Sequence, residues 1–266
     1  MIDYEKITNK VLSYSSLKEF RKSPEHFVQY LEKKKAPSEA MILGSLVDRM
    51  VLTPGTWQDE FTVMPHFDRR TKEGKEGFAK FTEENKGKTF VEEDVIIKAE
   101  FITAKVMQNE QAKEILSRLT QTQETIFYTD KETGLKMVAK LDGRGDNIIM
   151  DLKTCASADP EEFAKAAINF GYPLQAGVYA EAVRNRFFKF PDYYFICVET
   201  SAPYGISVCK ASDDFVELGK QQLRKALEEF KYCLDNKLFH QSYEFRNLFG
   251  PHILELPPWA KKGLEA

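Results

Sequence analysis

Apolar residues recur every three to four positions through much of the first 120 residues, which is the spacing of helices that bury one face. Residues 39–52 form the most apolar of these patterns, and Thr53-Pro54-Gly55 ends it. A helical pattern returns at about residues 92–119, whereas the polar, Lys- and Gly-rich residues 65–90 predict a loop with a short helix. The first part of the chain, residues 1–120, is therefore predicted to be helical.

Short apolar or alternating runs replace this pattern after residue 120 and predict β-strands. The predicted strands are residues 124–128, 135–141, 148–153, 193–199 and 204–210. Two helices separate the third and fourth strands, and a long amphipathic helix is expected at residues 213–238. We predict one α/β domain, residues 1–266, in which helices flank a mixed central sheet; its parts are residues 1–120, 121–210 and 211–266.

Two acidic residues stand on consecutive predicted strands. Asp142 precedes a Gly-rich turn expected at residues 143–147, and Asp151 lies nine positions further on, in an apolar run. Because side chains alternate along a strand, Asp151 and Lys153 share a face, and a neighbouring strand can bring Asp142 beside them. Two carboxylates and the Leu152 carbonyl are the hard oxygen ligands that Mg²⁺ prefers. This arrangement is the one that a metal-dependent nuclease needs.

The acid-x-Lys pattern is weak by itself, because it recurs in charged, helical or loop-like sequence where a solvated surface pair is the simpler interpretation. It also begins at Glu32, Glu73, Glu84, Glu229 and Asp235. Asp151 differs from these acids because it lies in an apolar strand, where a charge is costly unless it is paired or bound to metal. For Asp142 the alternative is a turn residue, since Asp-Gly is a common hairpin signal.

A helix expected to open near residue 172 places Gln175 and Tyr179 four positions apart on one face. From the spacing alone, the simpler interpretation is that Tyr179 belongs to the core and Gln175 is a surface amide. Their position behind the acid-x-Lys strand is the reason to include them in the candidate site.

This set of residues resembles the core of the PD-(D/E)XK nucleases, in the branch that includes the RecB nuclease domain, phage lambda exonuclease and RecE, with prophage RecE-type domains most similar. Residues 12–18 with 23–27 are similar to the N-terminal opening of that branch, and residues 256–261 to its C-terminal Leu-Pro-x-Trp-Ala-Lys. Residues 43–48 resemble its Leu-Gly-(Thr/Ser)-x-x-His segment, with Asp48 in place of the histidine. The motifs that carry the resemblance are Asp142, Asp151-Leu152-Lys153, Tyr172, Gln175 and Tyr179.

The resemblance implies a Mg²⁺- or Mn²⁺-dependent deoxyribonuclease that digests linear duplex DNA 5′→3′ and leaves 3′ single strands for phage-type recombination. The implied partners are double-stranded DNA ends, a single-strand annealing protein and further copies of the chain in a ring. Two alternatives stay open. One is an endonuclease or recombination-accessory nuclease of the same fold, and the other is a non-catalytic module that binds DNA or an annealing protein.

The residues and the resemblance together suggest roles at the expected site. Asp142 and Asp151 would bind metal with the Leu152 carbonyl, and Lys153 would position or deprotonate the attacking water. The resemblance adds supporting catalytic and DNA-binding residues, with helix capping as the alternative for the serines. The supporting catalytic residues are Gln175 and Tyr179, and the DNA contacts are Tyr172, Ser13 and Ser15.

Asp48 is expected to be a third metal ligand in place of the histidine. It lies on an otherwise apolar helix, where an unpaired carboxylate would be costly, and Arg49 cannot share its face. The alternative is that Asp48 faces solvent or pairs with another base.

Composition agrees with a cytoplasmic enzyme. The 266 residues are 42% hydrophobic with 20 Phe, enough for a sizeable core, and neither a membrane span nor a signal peptide is expected. The four Cys lie far apart, which excludes an obvious zinc or iron–sulfur site. With a net charge of −3, DNA binding would depend on a local basic track, for which residues 33–35, 69–75 and 184–186 are candidates. The alternative for each of these segments is a solvated helix end or loop.

Overall fold

A mixed five-stranded sheet organises the middle of the chain. The computed structural model describes residues 2–33, 36–246 and 253–256. Two short strands come first in the chain and pair with each other in parallel, apart from the main sheet. In chain order the strands are β1 (Phe61–Val63), β2 (Thr89–Val91), β3 (Leu119–Thr129), β4 (Lys136–Gly145), β5 (Ile148–Cys155), β6 (Asp192–Glu199) and β7 (Ile206–Lys210).

Helices cover both faces of this sheet. The helices before it are α1 (Tyr4–Thr8), α2 (Tyr14–Phe20), α3 (Pro24–Glu32), α4 (Glu39–Leu52), α5 (Trp57–Glu60), α6 (Lys72–Glu84), α7 (Glu93–Gln108) and α8 (Glu110–Ser117). Those that follow are α9 (Pro160–Phe170), α10 (Tyr172–Phe187) and α11 (Asp213–Asp235), with a 3₁₀ turn at Tyr243–Arg246. Across the described part of the chain, every helix falls short of the length and hydropathy that a membrane crossing needs.

The strand order is β3-β4-β5-β6-β7. Neighbouring strands are antiparallel except β5 and β6, which are parallel because α9 and α10 form the crossover between them. Residues on both faces of β5 and β6 are buried, which explains why their sequences read as nearly continuous apolar runs. The confirmed fold class is thus an α/β fold with a mixed sheet between helices.

Two hydrophobic cores lie on opposite faces of the sheet. Ile149, Phe195 and Cys197 face the core that is shared with α2, α3, α9, α10 and α11. Ile148, Met150, Leu152 and Ile196 face the core that is shared with α4, α7 and α8. Alternate residues of β5 therefore enter different cores, and both helical layers depend on this one strand.

Two glycines bring α10 and α11 into close contact. A Cβ atom on Gly177 would overlap the backbone of Gly219, and one on Gly219 would overlap the backbone of Pro173. The close approach holds α10, which carries Gln175 and Tyr179, firmly between the sheet and α11.

Several element boundaries differ from the sequence predictions. Strand β4 continues through Gly143 to Gly145, because Gly143 is needed for space rather than for a turn: a Cβ atom there would lie 2.6 Å from Leu119 Cδ1. Residues 92–119 form two helices and the start of a strand, because the Asn109 side chain accepts a hydrogen bond from the Ala112 N–H and starts a new helix. The region 65–90 contains the 13-residue α6 and part of β2, more structure than a loop.

The remaining boundaries differ less. Helix α4 has the predicted bounds, and α9 begins as expected with Asp159 as its N-cap and Pro160 in its first turn. Strand β3 is longer than predicted and starts directly after α8, while α11 ends at Asp235 rather than at residue 238.

Candidate active site

The ladder between β4 and β5 stops where the acidic residues begin. The paired residues are Gly143–Met150 and Arg144–Ile149. Asp142 and Asp151 occupy the next position on each strand, where the Oδ2 atom of Asp142 accepts a hydrogen bond of 3.0 Å from the Leu152 N–H. A carboxylate thus replaces a backbone acceptor at the point where the strands separate.

Asp151 has an ion-pair partner at one carboxylate oxygen and a hydrogen-bond donor at the other. Its side chain is fully buried, and Oδ2 forms an ion pair with Lys153 Nζ. The Nε2 atom of Gln175 donates to Asp151 Oδ1 at 3.1 Å and also to the Tyr179 hydroxyl at 3.1 Å. The 3.6-residue helical period places Gln175 and Tyr179 together, and the packing of α10 on the sheet turns both toward Asp151.

Lys153 lies between the acidic residues and the aromatic ring of Tyr172. Its Nζ atom lies 4.8 Å from the centre of the Tyr172 ring, close enough for a cation–π contact. Burial disfavours its charged form, but the nearby carboxylates of Asp151 and Asp142 outweigh this and raise the pKa of Lys153 above its ordinary value. Lys153 is therefore an ammonium in this arrangement.

Asp48 reaches the same region from α4. Helix α4 packs on β4 and β5, and the absent side chain of Gly44 lets it approach, since a Cβ atom there would lie 3.0 Å from Thr154 Oγ1. Asp48 lies one helical turn after Gly44. Its Oδ2 atom accepts a hydrogen bond of 2.6 Å from Gln123 Nε2 on β3, so its partner is an amide and not a base.

The acidic residues affect one another electrostatically. Burial raises the pKa of Asp142 well above its ordinary value, and the carboxylates of Asp151 and Asp48 raise it further. Burial and the charge of Asp151 raise the pKa of Asp48 to about 6, although the hydrogen bond from Gln123 acts in the opposite direction. A concentration of negative charge in a partly desolvated place is energetically unfavourable, and a cation would relieve it.

The donor set suits a hard divalent cation. Asp48 Oδ1 is buried and has no hydrogen-bond partner among the described residues. Within those residues, no three histidine, cysteine or acidic side chains are already arranged to hold a metal ion. Protein donors, namely Leu152 N–H, Lys153 and Gln175, engage Asp142 and Asp151 instead. The chemistry of the set fits Mg²⁺ or Mn²⁺, and binding requires these contacts to shift.

The two candidate serines of the N-terminal segment lie at the start of α2, Ser13 as its N-cap and Ser15 in its first turn. The Ser13 side chain accepts from the Ser16 N–H and caps the helix, which is the alternative role considered from the sequence, while Ser15 is exposed. Tyr172 contacts Lys153 as described above.

Arginines of two basic segments have partners close in the sequence. Arg69 stacks on the Phe78 ring, Arg70 pairs with Asp68, and Arg184 pairs with Glu181. Lys34, Lys35 and most of the C-terminal motif at residues 256–261 lie outside the described residues.

Two residues of this region were not identified from the sequence. Gln123 contacts Asp48, and no local pattern marks it, because the contact joins β3 to a helix 75 positions earlier. Tyr14 donates to the Phe170 carbonyl at 2.8 Å, and burial raises its pKa to about 12, with the charge of Lys153 acting the other way. Tyr14 lies within the segment 12–18 that resembled the nuclease opening, which was a signal that could have identified it.

Comparison with known families matches residues 13–243 to a family described as a PDDEXK-like domain of unknown function (DUF3799). The matched region includes each of the residues that form the cluster around Asp151. Comparison with curated proteins gives no match.

One of the solved structures to which the chain is similar shows the same fold. A candidate exonuclease from Eubacterium rectale superposes with a TM-score of 0.62 and 18% identity, over 95% of this chain and 91% of that protein. LHK-Exo in complex with dAMP gives a TM-score of 0.40 and 10% identity, over 88% of this chain and 94% of that protein. Another structure of LHK-Exo, an alkaline exonuclease from Laribacter hongkongensis, gives a TM-score of 0.29 and 13% identity, over 51% of this chain and 70% of that protein.

Proposed function

This chain belongs to the family of PDDEXK-like domains described as DUF3799, and from that premise we propose that it is a metal-dependent exonuclease acting on linear duplex DNA. The observation that supports the proposal most is the cluster of Asp142, Asp151 and Lys153 at the end of the β4–β5 ladder. Two carboxylates can hold the metal used in phosphodiester hydrolysis, and an ammonium can stabilise charge on the phosphate. The chain places all three on adjacent strands.

Asp142 and Asp151 would hold the metal, together with Asp48 and the Leu152 carbonyl. A bound Mg²⁺ or Mn²⁺ polarises the phosphodiester and lowers the pKa of a water molecule. The protein supplies acidic oxygens on rigid strands for this purpose, and Asp48 brings one oxygen that is buried and without a hydrogen-bond partner among the described residues.

Lys153 would act through its positive charge. Its raised pKa supports positioning of the attacking water and stabilisation of charge on the phosphate, rather than removal of a proton from the water. When the phosphate and metal are present, the Nζ atom would leave Asp151 and donate to an oxygen of the substrate.

Gln175 and Tyr179 would orient Asp151, because the Gln175 amide links the Asp151 carboxylate to the Tyr179 hydroxyl. The Tyr172 ring lies beside Lys153 and offers a flat surface to a nucleotide. Ser15 is exposed on α2, and Ser13 caps that helix while its hydroxyl retains a hydrogen to donate, so both stay in the proposal as contacts to the terminal 5′ phosphate.

The 5′→3′ polarity rests on the family resemblance alone. The RecE-like branch rests on the same resemblance together with residues 12–18, 23–27, 43–48 and 256–261. By the same resemblance the enzyme would prepare 3′ single strands for recombination in the cytoplasm, with a single-strand annealing protein as partner. It would work as a ring of identical chains. A local basic track inside the ring would then bind the DNA although the net charge of the chain is −3.

The test uses 5′-labelled linear duplex DNA and a covalently closed circle of the same sequence, each with Mg²⁺ or with a chelator. We expect the linear DNA to lose its label as mononucleotides, the circle to stay intact, and the chelator or Asp151→Ala to stop the reaction. Cleavage of the circle would identify an endonuclease. Binding of DNA without cleavage of either substrate would identify a non-catalytic module.

A further inference from the structure

Gln123 joins the sheet to the candidate metal ligand on α4. Its Nε2 atom donates to Asp48 Oδ2 at 2.6 Å. Thr122 pairs with Gly143 and Glu124 pairs with Leu141, so Gln123 stands at the level of Asp142 on the neighbouring strand. One residue of β3 therefore lies level with Asp142 and contacts Asp48.

The backbone at Gln123 is unusual for a strand. Its φ angle is 53°, in the left-handed region, which a residue with a long side chain rarely adopts. The other non-glycine residues with positive φ in the described part of the chain lie outside strands, at Phe188, Tyr204 and Lys237. Such conformations persist where the surrounding structure requires them, and they concentrate at functional sites.

The hydrogen bond leaves Asp48 suited to a cation. The amide occupies Oδ2, while Oδ1 is buried and has no hydrogen-bond partner among the described residues. A lysine or arginine in the place of Gln123 would neutralise the carboxylate, whereas a neutral amide orients it and leaves its charge unchanged. Partners that orient a ligand in this way increase metal affinity.

We propose that Gln123 is a positioning residue that holds Asp48 with one oxygen free for the metal. This inference rests on the proposed function, because it assumes that the acidic cluster binds a divalent cation. It goes further in assigning a role to a residue of β3 and in explaining its backbone conformation.

Titration calorimetry of the DNA-free protein with Mn²⁺ tests the inference. Gln123→Gly removes the amide and accepts the left-handed backbone, and Gln123→Asn keeps an amide that is too short to reach Asp48. We expect both to weaken Mn²⁺ binding by about 10- to 100-fold. Gln121→Gly is the matched control, because Gln121 is an exposed glutamine of β3 that lacks a positive φ, and its affinity should equal that of the parent. Thermal unfolding without metal confirms that each variant is folded.

A double-mutant cycle separates positioning from a general structural effect. If Gln123 acts through Asp48, Gln123→Gly should cause no further loss of Mn²⁺ affinity in the Asp48→Ala protein. The inference is overturned if Gln123→Gly binds Mn²⁺ as tightly as the parent, or if it causes the same loss in both backgrounds. Failure of the proposed function gives a different pattern, in which the parent itself binds no Mn²⁺ and cleaves no DNA; Gln123 then has no metal ligand to position.

Discussion

The Oδ2 atom of Asp142 accepts a 3.0 Å hydrogen bond from the backbone N–H of Leu152, immediately beyond the last pair of the β4–β5 ladder. The carboxylate thus satisfies a donor that would otherwise be left without a partner where the strands separate. Asp142 is both a connection between two strands and a candidate metal ligand, and the two roles can be tested separately.

Asp142→Asn should abolish nuclease activity but preserve the fold. An amide oxygen can still accept from the Leu152 N–H, and loss of a carboxylate from a cluster of like charges should leave the unfolding temperature equal or higher. Asp142→Ala leaves the N–H unsatisfied and should lower stability by about 1–3 kcal/mol. Thermal unfolding and a gel assay check both. An Asn variant that cleaves DNA at the parental rate would remove Asp142 from the site.

Lys153→Met should reduce cleavage by about 100-fold or more, because it removes the charge that acts on the phosphate. It also leaves the fully buried Asp151 carboxylate without its ion-pair partner, which should lower stability by about 3 kcal/mol. The double variant Asp151→Asn with Lys153→Met should recover that stability and stay inactive. Denaturant unfolding of the parent, Lys153→Met, Asp151→Asn and the double variant measures the cycle. Equal stability of Lys153→Met and the double variant would contradict the pairing.

Asp48→Ala should weaken metal binding and activity, while Asp48→His should recover activity better with Mn²⁺ than with Mg²⁺. The reason is that imidazole is a softer ligand than a carboxylate. Calorimetric titration of both ions and rates of DNA cleavage provide the comparison. The control is Asp146→Ala, an exposed acid on the turn after β4. If Asp48→Ala binds Mn²⁺ as tightly as the parent and cleaves normally, Asp48 is not a ligand.

Asp130 should make stability depend on pH. Although burial opposes it, hydrogen bonds from Thr133 and Arg224 lower the pKa of Asp130 below its ordinary value of 3.8. A carboxyl whose pKa is lowered by folding stabilises the fold above its unfolded pKa, and the effect is lost as pH falls through the folded pKa.

The matching experiment compares Asp130→Asn with the parent by denaturant unfolding at pH 7 and pH 3. At pH 7 the variant should be less stable by about 1–3 kcal/mol, and the difference should shrink at pH 3. Asp146→Asn is the control, because its contact with Lys189 is an exposed ion pair that contributes little. A difference that is independent of pH would show that the Asp130 charge is not responsible.

The protein should form a closed homo-oligomer that encloses duplex DNA. The motivation is the nuclease resemblance together with the net charge of −3, which disfavours an open, purely electrostatic DNA surface. Light scattering should give a mass several times the 30.6 kDa of one chain. A strict monomer at micromolar concentration that nevertheless digests DNA processively would rule out the ring.

The sequence alone was sufficient for the α/β class, and local patterns predicted most elements of the core. Helix α4 and the N-cap of α9 could be predicted because apolar periodicity, capping and proline act within a few residues. The break at Asn109 and the continuation of β4 through Gly143 could not, because neighbours distant in the chain decide them.

For the candidate site, the sequence determined what lies within one strand or one helical turn. Asp151 and Lys153 share a face because a strand alternates, and Gln175 and Tyr179 share one because a helix turns every 3.6 residues. Only the tertiary structure decided which donors a partly buried carboxylate finds. Gln123 reaches Asp48 because α4 docks closely on β5 and the backbone of β3 turns at that residue. Such a contact depends on how distant segments pack, and local sequence does not encode it.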